Sequence, residues 1–335
     1  MKRILIIRFS SIGDIVLCSP VLRNLKNQFP NVEIDVLTKK DFAFVWDGNP
    51  HISRILSWDI AEDMNLWKQA PYDYILDLHN NLRSQLVKIR RWDCPSITIS
   101  KQNFAKFLLV AFKRPLITIK PIYSRYAQML EILGVKDDHK GLEYFGTQEL
   151  VEDKLWQPEF VGLPKSYFAV ALGGSFLTKQ IPLKTYINFF EKAQSDENFI
   201  LLGGAGDAKT AEILKEKFPN NCINLCGKLT LGQSADIVKN ATVLISGDTG
   251  LAHIGAALGK PIIWIWGSTT PDLGMLSPQK PNSCSIVSME VKGLNCRPCS
   301  KLGHSKCPKG HFKCMDHDPI QIRENLEKLS ATALV

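Results

Sequence analysis

Short apolar runs alternate with helical patterns along most of the chain. Three strand-like runs in the first half are RILIIRF (residues 3–9), EIDVLTK (33–39) and YDYILDLHN (72–80). Four in the second half are YFAVALGG (167–174), NFILLGG (198–204), TVLISGD (242–248) and PIIWIWGS (261–268). Amphipathic stretches such as SPVLRNLKNQFP, with Ser19 predicted as the helix N-cap, lie between them. The alternation predicts an α/β fold of doubly wound parallel sheets with helices on both faces.

The length of the chain predicts two such domains. Its 335 residues exceed what one hydrophobic core usually serves. The weakly patterned stretch at 146–166, with two prolines near its end, is the expected linker. We therefore predict a first domain over residues 1–160 and a second over 161–318, which meet across a cleft. Ligands of such sheets bind beyond the carboxyl ends of the strands, so functional residues are expected there.

The apolar runs are too short for a membrane span. The run that comes closest, FAKFLLVAF (104–112), is below the roughly 18–20 residues required and contains Lys106. The apolar stretch at the amino terminus ends at Arg8, and no cleavage site of small residues follows it. We therefore expect a cytoplasmic protein.

Positive charge is concentrated in one segment. Residues 83–125 contain ten Lys or Arg and a single acid, Asp93, whereas the net charge of the whole chain is +8. Such a segment suits an anionic partner: a phosphorylated glycolipid, an acidic membrane surface or nucleic acid. Nucleic acid is not expected, because no binding motif for it accompanies the charge. A solvated helix face is the alternative interpretation.

The run LISGDTGLAHIGAALGKP (244–261) predicts a phosphate site. Asp248 and Thr249 follow the strand and can cap a helix that runs to Gly259. Free N–H groups at the start of that helix favour a phosphate, and Gly250 lets the backbone approach it. Asp248 offers acceptor oxygens to a sugar hydroxyl, and His253 lies one turn further on. The alternative is that Asp248 only caps the helix and that His253 is a packed core residue.

The turn after the first strand lacks a dinucleotide fingerprint. Of the three glycines that such a fingerprint needs, FSSIGD supplies only Gly13, which argues against an NAD-dependent oxidoreductase. Ser11 and Asp14 occupy the turn instead.

Two long stretches resemble one family of enzymes. GDTGLAHIGAALGKPIIWIWGSTTP and RFSSIGDIVLCSPVLRNLKNQFPNVEIDVLT closely resemble glycosyltransferase family 9, the bacterial ADP-heptose:lipopolysaccharide heptosyltransferases. YDYILDLHNNLRS, LLGGAGD and the cysteine-rich segment near the carboxyl terminus are similar as well. The resemblance implies a GT-B fold of two Rossmann-like domains, the first binding the acceptor and the second the nucleotide sugar. It also implies an inverting, metal-independent transfer, and a C-terminal helix (319–335) that packs back on the first domain.

The resemblance also implies roles for individual residues. Asp14 matches the general base, and a carboxylate at a strand end meets the geometric condition for that role; a simple N-cap is the alternative. Lys179 matches a phosphate-contacting lysine, with a surface lysine as the alternative. The remaining donor residues implied by the match are Ser175 in the same loop, Asp207 near the nucleoside and Leu229 against the base.

Acceptor contacts are expected in the first domain. The candidates are Ser11, His79, Asn80 and Arg83, which together with the basic segment could meet phosphate or carboxylate groups of a lipid A and Kdo-type core. Each is otherwise an ordinary loop residue.

Four cysteines are close enough in sequence to suggest a metal. Cys296, Cys299, Cys307 and Cys314 could form one tetrahedral zinc site, but their spacing lacks the second close pair of a zinc ribbon. We favour free thiols and no cofactor beyond the nucleotide-sugar co-substrate, since disulfides are disfavoured in the cytoplasm.

The expected function is transfer of heptose from ADP-L-glycero-D-manno-heptose to Kdo or the first heptose of the lipopolysaccharide inner core. The expected partners are the nucleotide sugar, the lipopolysaccharide acceptor and, peripherally, the inner membrane surface. Three alternatives remain: a family 9 transferase with another donor or acceptor, a GT-B nucleotide-sugar epimerase, and a non-catalytic binding protein.

Overall fold

Two all-parallel sheets organise the protein. The computed structural model describes residues 1–146, 163–278 and 285–333. One unit comprises residues 1–103, 120–146 and 274–278, and the other comprises the remaining described residues. Each unit contains one sheet, as the alternation of strands and helices predicts.

The first sheet has the strand order β3-β2-β1-β4-β5, with every pair parallel. Its strands are β1 (Arg3–Ile7), β2 (Glu33–Thr38), β3 (Arg54–Ser57), β4 (Tyr74–Asp77) and β5 (Ser96–Thr98). Helices in this half of the chain are α1 (Ile12–Val16), α2 (Ser19–Gln28), α3 (Ala61–Gln69), α4 (Leu82–Arg90), α5 (Asn103–Phe112) and α6 (Ile122–Glu131). The carboxyl ends of β1 and β4 are adjacent, because Leu78 N donates to Ile7 O.

The second sheet has the order β11-β10-β9-β6-β7-β8 and is also parallel throughout. Its strands are β6 (Phe168–Ala171), β7 (Phe199–Leu202), β8 (Cys222–Asn224), β9 (Leu244–Ser246), β10 (Ile262–Trp266) and β11 (Ile286–Glu290). The helices are α7 (Leu183–Phe190), α8 (Ala208–Lys217), α9 (Leu231–Asn240), α10 (Gly250–Ala257) and α11 (Pro319–Ala333).

The central strands are buried on both faces, which explains their continuous apolar runs. All five residues of β10, IIWIW, are buried, and so are the last four of β1. Strand and helix residues form one core beside β1, around Trp67, and another around Phe190 in the second unit. These cores hold the strand ends in place, and the candidate site residues follow directly from those ends.

The second helix begins one residue differently from the prediction. Cys18, in helical conformation, is the N-cap of α2, and Ser19 is its first residue. The reason is that α1 runs almost directly into α2, so the Ser19 hydroxyl donates back to Val16 O at 2.8 Å. The Ser19 oxygen also accepts from Glu143 N at 2.9 Å.

The two units divide the chain differently from the predicted domains. The predicted boundary at residues 160–161 lies outside the described residues. Residues 104–119, expected in the first domain, group with the second unit, where Lys113 Nζ donates to Pro298 O at 2.8 Å. The helix α11, expected against the first domain, places Ile322, Leu326 and Leu329 in the core of the second unit.

Candidate functional site

Asp14 lies on α1, the short helix that follows β1. Ser11 is the N-cap of this helix, and its hydroxyl donates to Asp14 Oδ2 at 2.7 Å. The Ser11 backbone N–H donates to the same oxygen at 3.3 Å. Asp14 is therefore not the N-cap that the sequence offered as the alternative: it is the third residue of the helix, and its capping-box contact with Ser11 orients one oxygen of the carboxylate. Ser11, predicted as an acceptor residue, contacts the predicted base itself.

The other Asp14 oxygen is bound by a buried arginine. Arg8 Nη2 lies 2.6 Å from Asp14 Oδ1. Arg8 also donates from Nε to Ser10 O at 2.9 Å and from Nη1 to Leu78 O at 2.6 Å. Burial alone would lower the pKa of Arg8, but the charge and hydrogen bond of Asp14, together with Tyr126 and Cys18, outweigh it and raise the pKa. The guanidinium is thus a permanent, rigidly held cation behind the carboxylate.

His79 and Asn80 follow β4 at the same edge of the sheet. Asp77 Oδ1 accepts from the backbone N–H groups of both residues, at 3.0 and 2.7 Å, and fixes the turn. Burial, together with the charges of Arg8 and Lys101, lowers the pKa of His79 to about 4. His79 is therefore neutral at physiological pH, and its buried Nδ1 has no hydrogen-bond partner among the described residues.

Of the remaining acceptor candidates, Arg83 is exposed on the first turn of α4. The Asn80 side chain is less available, because its Nδ2 donates to Ile99 O at 3.0 Å. Their roles as acceptor contacts stay predictions.

Arg125 is a further candidate, which its place in a basic segment of the sequence does not single out. This arginine of α6 is 5% exposed, and its Nη1 donates to Ser100 O at 2.8 Å. Its buried Nε and Nη2 atoms have no hydrogen-bond partner in residues 1–146, 163–278 or 285–333. Burial lowers the pKa of Arg125, and Asp14 and Arg8 are among the charges that act on it. A buried guanidinium with unused donors in this neighbourhood is suited to an anionic ligand.

Two glycines bring Lys179 to the strand ends of the second unit. Lys179 ends a short 3-10 turn, Leu177–Lys179, after β6. A Cβ atom at Gly247, after β9, would lie 2.6 Å from Lys179 O. A Cβ atom at Gly267, after β10, would lie 2.6 Å from Thr178 O. Only glycine at these two positions allows so close an approach of the turn.

The Lys179 side chain pairs with Asp248, another predicted donor residue. Its Nζ lies 2.6 Å from Asp248 Oδ2. The Thr269 hydroxyl donates to the same oxygen at 3.0 Å. Asp248 is the more buried partner, with a side chain 7% exposed against 17% for Lys179. The structure thus brings the two residues together, and the ammonium is the group nearer solvent.

The helix start predicted at Thr249 is confirmed. Thr249 is the N-cap of α10, and its Oγ1 accepts from Ala252 N at 3.3 Å. Gly250 is the first helical residue, and Gly259 beyond the helix end has a φ of +72°. His253 is 3% exposed and packs edge-on against Trp264, with ring centroids 5.0 Å apart. That packing agrees with the core-residue alternative for His253; its role toward a donor stays a prediction.

Three further donor candidates differ in their surroundings. Ser175 is exposed, whereas Thr178 in the same loop is 1% exposed and accepts from His304 N at 2.7 Å. Asp207 Oδ2 accepts from Gly204 N at 2.8 Å, at the end of β7. Leu229 is half-buried just before α9. Thr178 therefore holds the loop, and the roles of the other three stay predictions.

The four clustered cysteines carry free thiols. Cys299 Sγ donates to Cys296 O at 3.0 Å, and Cys296 Sγ lies 3.8 Å from His311 Nε2. Burial raises the pKa of the Cys307 thiol, but four backbone N–H groups of the following turn outweigh it and lower the pKa. Within the part of the chain that the structure describes, no three His, Cys, Asp or Glu side chains are arranged to hold a metal. The absence of a cofactor stays a prediction.

Comparison with known proteins places this geometry in context. The model of glycosyltransferase family 9 (heptosyltransferase) matches residues 65–305. The chain is 25% identical to lipooligosaccharide heptosyltransferase 2 of Haemophilus influenzae, over 98% of this chain and 99% of that protein.

Two solved structures share the fold. The structure of Escherichia coli ADP-heptose lps heptosyltransferase II has a TM-score of 0.71 at 18% identity, over 100% of both chains. Escherichia coli heptosyltransferase WaaC with ADP has a TM-score of 0.68 at 19% identity, over 98% of this chain and 99% of that one. The likeness confirms the predicted fold class, a GT-B type with two Rossmann-like sheets.

Proposed function

Because the chain belongs to glycosyltransferase family 9, we propose that it transfers a heptose from ADP-L-glycero-D-manno-heptose to the lipopolysaccharide inner core. The acceptor sugar is Kdo or the first heptose. Support comes from a relative that is a lipooligosaccharide heptosyltransferase and matches 98% of the chain. No helix in the described ranges is long and apolar enough to cross a membrane.

The observation that carries this function is the Asp14 carboxylate held between Arg8 and Ser11. In the proposed reaction Asp14 accepts the proton of the acceptor hydroxyl. The hydroxyl oxygen then forms a bond to the anomeric carbon, while the bond from that carbon to the diphosphate oxygen breaks. ADP leaves with the electron pair of the broken bond. Attack from the face opposite the leaving group inverts the anomeric centre.

Stabilisation of the departing diphosphate falls to the second unit. Lys179, the more exposed partner of its ion pair with Asp248, exchanges that carboxylate for phosphate oxygens. The N–H groups at the start of α10, after Thr249, add donors and the positive end of the helix dipole. Together these groups supply the charge that a divalent metal provides in other transferases, so we propose a metal-independent transfer.

Recognition of the acceptor falls to the first unit. The unused donors of Arg125 suit a carboxylate or phosphate of the inner core. His79, neutral and with an Nδ1 atom that has no hydrogen-bond partner among the described residues, exchanges hydrogen bonds with sugar hydroxyls rather than forming an ion pair. Arg83, exposed on α4, adds a second cation for the acceptor.

Acceptor-dependent release of ADP tests this function. Purified protein is given ADP-heptose, then heptose-free Kdo-bearing lipopolysaccharide or the same material carrying its first heptose. We expect ADP release with one of the two acceptors and none without acceptor. ADP release without acceptor would indicate hydrolysis. Tight binding of ADP-heptose without turnover on either acceptor would contradict the proposed acceptor class.

The same assay tests whether the transfer requires a divalent metal ion. Turnover in the presence of EDTA is expected to equal turnover with added Mg²⁺. Loss of turnover on chelation, restored by one metal ion, would contradict metal independence without affecting the choice of acceptor.

A further inference from the structure

The helix α5 and the loop after it expose an unusual amount of apolar surface. We call it the α5 surface: Phe104 (68% exposed), Phe107 (58%), Phe112 (57%), Leu116 (48%) and Ile117 (44%). All five belong to residues 104–119, which group with the second unit. Single exposed apolar residues are ordinary, but three phenylalanines on one ten-residue helix form a patch.

These side chains are not needed for the core. The core side of α5 is formed by Ala105 and Leu109, which are buried. Phe104, Phe107 and Phe112 lie on other positions of the helix and face outward. The helix is therefore apolar on both faces, and burial of the outer face requires something other than this chain's own core.

The charged residues that neighbour the α5 surface in the sequence are all positive. Between Asp93 and Glu131 the sequence contains no acidic residue. Lys106 and Lys113 lie within α5 or at its end, and Arg114 is exposed in the loop that follows. Apolar side chains flanked by cations without acids match the chemistry of an anionic bilayer, in which acyl chains lie beneath phosphates.

The α5 surface is fixed to the rest of the second unit by a hydrogen bond. Lys113 Nζ donates to Val110 O at the end of α5 and, at 2.8 Å, to Pro298 O. The contact joins the end of α5 to the segment before Cys299. The aromatic side chains are thus presented on a fixed helix rather than on a free segment.

We propose that the α5 surface docks on the anionic phospholipid face of a membrane. The three phenylalanines insert at the level of the headgroups, Arg114 lies against lipid phosphates, and Lys106 and Lys113 add positive charge beside it. The helix lies in the plane of the interface, since ten residues cannot span a bilayer. The inference rests on the proposed function only in that a lipid-linked acceptor gives docking its purpose.

Vesicle sedimentation, without nucleotide sugar or acceptor, tests the proposal independently of catalysis. The wild type is expected to bind phosphatidylcholine vesicles that contain phosphatidylglycerol, and to bind pure phosphatidylcholine more weakly. The triple variant Phe104→Ser, Phe107→Ser, Phe112→Ser should lose at least about tenfold in vesicle affinity. Arg114→Gln should lose about fivefold on the anionic vesicles alone.

A matched control removes apolar surface elsewhere. Ile132→Ser with Ile320→Ser changes two residues that are 69% and 55% exposed outside the α5 surface, and should bind vesicles as the wild type does. Circular dichroism confirms that each variant is folded before vesicles are added.

Two results would overturn the proposal. One is equal vesicle binding by the wild type and the folded triple variant. The other is a wild-type dimer that the triple variant converts to monomer with no vesicle binding by either, which would make the α5 surface a contact between copies of the chain. Vesicle binding by a wild type that fails to transfer heptose would contradict the proposed function and leave the docking surface supported.

Discussion

Each unit contains an ion pair between candidate site residues, and the two pairs differ in which partner is buried. In the first, the cation is the buried partner: the side chain of Arg8 is 8% exposed and that of Asp14 is 21% exposed. In the second, the carboxylate is the buried partner: Asp248 is 7% exposed and Lys179 is 17% exposed. Each pair therefore turns its more accessible member outward, a carboxylate in one unit and an ammonium in the other.

The difference matches the two halves of the proposed reaction. A base must accept a proton, so the accessible group of the first unit is an anion backed by a fixed cation. A departing diphosphate must be neutralised, so the accessible group of the second is a cation backed by a fixed anion. Lys179 exchanges its ion pair with Asp248 for phosphate, whereas Asp14 keeps Arg8 and Ser11 throughout.

The largest effect is expected from removal of the buried cation. Arg8→Met leaves Asp14 without its partner and removes the hydrogen bonds to Ser10 O and Leu78 O. The free energy of unfolding should fall by about 3 kcal/mol, measured by urea titration. The control is Arg3→Met, which breaks the more exposed pair with Glu33 and should cost less than about 1 kcal/mol. An equal loss of unfolding free energy in the two variants would contradict the view that Arg8 holds the Asp14 carboxylate in place.

A smaller effect, on ligand binding, is expected in the second unit. Lys179→Ala should raise the Kd for ADP-heptose by about tenfold or more, measured by calorimetry, because a charge-assisted contact to phosphate is lost. The KM for the acceptor should not change. Lys184→Ala, an exposed lysine at the start of α7, provides the control. An unchanged Kd in Lys179→Ala would show that the ammonium serves only Asp248.

The smallest effect concerns pH. The pKa of His79 is about 4 in the folded protein against an ordinary value of 6.5, so the unfolded chain binds its proton first as the pH falls. Stability due to neutral His79 is complete above about pH 6.5 and is lost as the pH decreases toward 4. The loss should be about 1 kcal/mol once partial exposure is allowed for.

The variant His79→Gln should flatten that part of the pH–stability curve. His139→Gln, which changes a side chain 85% exposed, should leave the curve unaltered. An identical slope in the wild type and His79→Gln would contradict a neutral, half-buried His79.

The sequence predicted the seven inner strands of the two sheets, because parallel strands buried on both faces have continuous apolar runs. It missed the four edge strands β3, β5, β8 and β11, which are short or only partly buried. The start of α10 was also predictable, since Thr249 and Gly250 are typical of a helix N-terminus and Gly259 of its end. The predicted N-cap of α2, Ser19, was wrong by one residue, because the sequence does not reveal that α1 continues almost without a break into α2.

The buried residues that position the candidate site could not be predicted from the sequence. Arg8 at a strand end and Arg125 in a basic segment have the sequence pattern of solvated residues, yet both are buried. Their burial depends on contacts with Leu78 and Ser100, which are far away in sequence. The approach of Lys179 to β9 and β10 depends on Gly247 and Gly267. These glycines are far from Lys179 in sequence and come close to its turn only in the folded chain.

Single-turnover kinetics of Asp14→Asn tests the central claim most directly. With donor and acceptor bound, the rate of ADP release should fall by at least about a hundredfold, because the amide cannot accept the hydroxyl proton. The Kd for ADP-heptose should stay near that of the wild type, and Glu62→Gln, an exposed carboxylate on α3, should keep the wild-type rate. A near-normal rate in folded Asp14→Asn would contradict the assignment of Asp14 as the base.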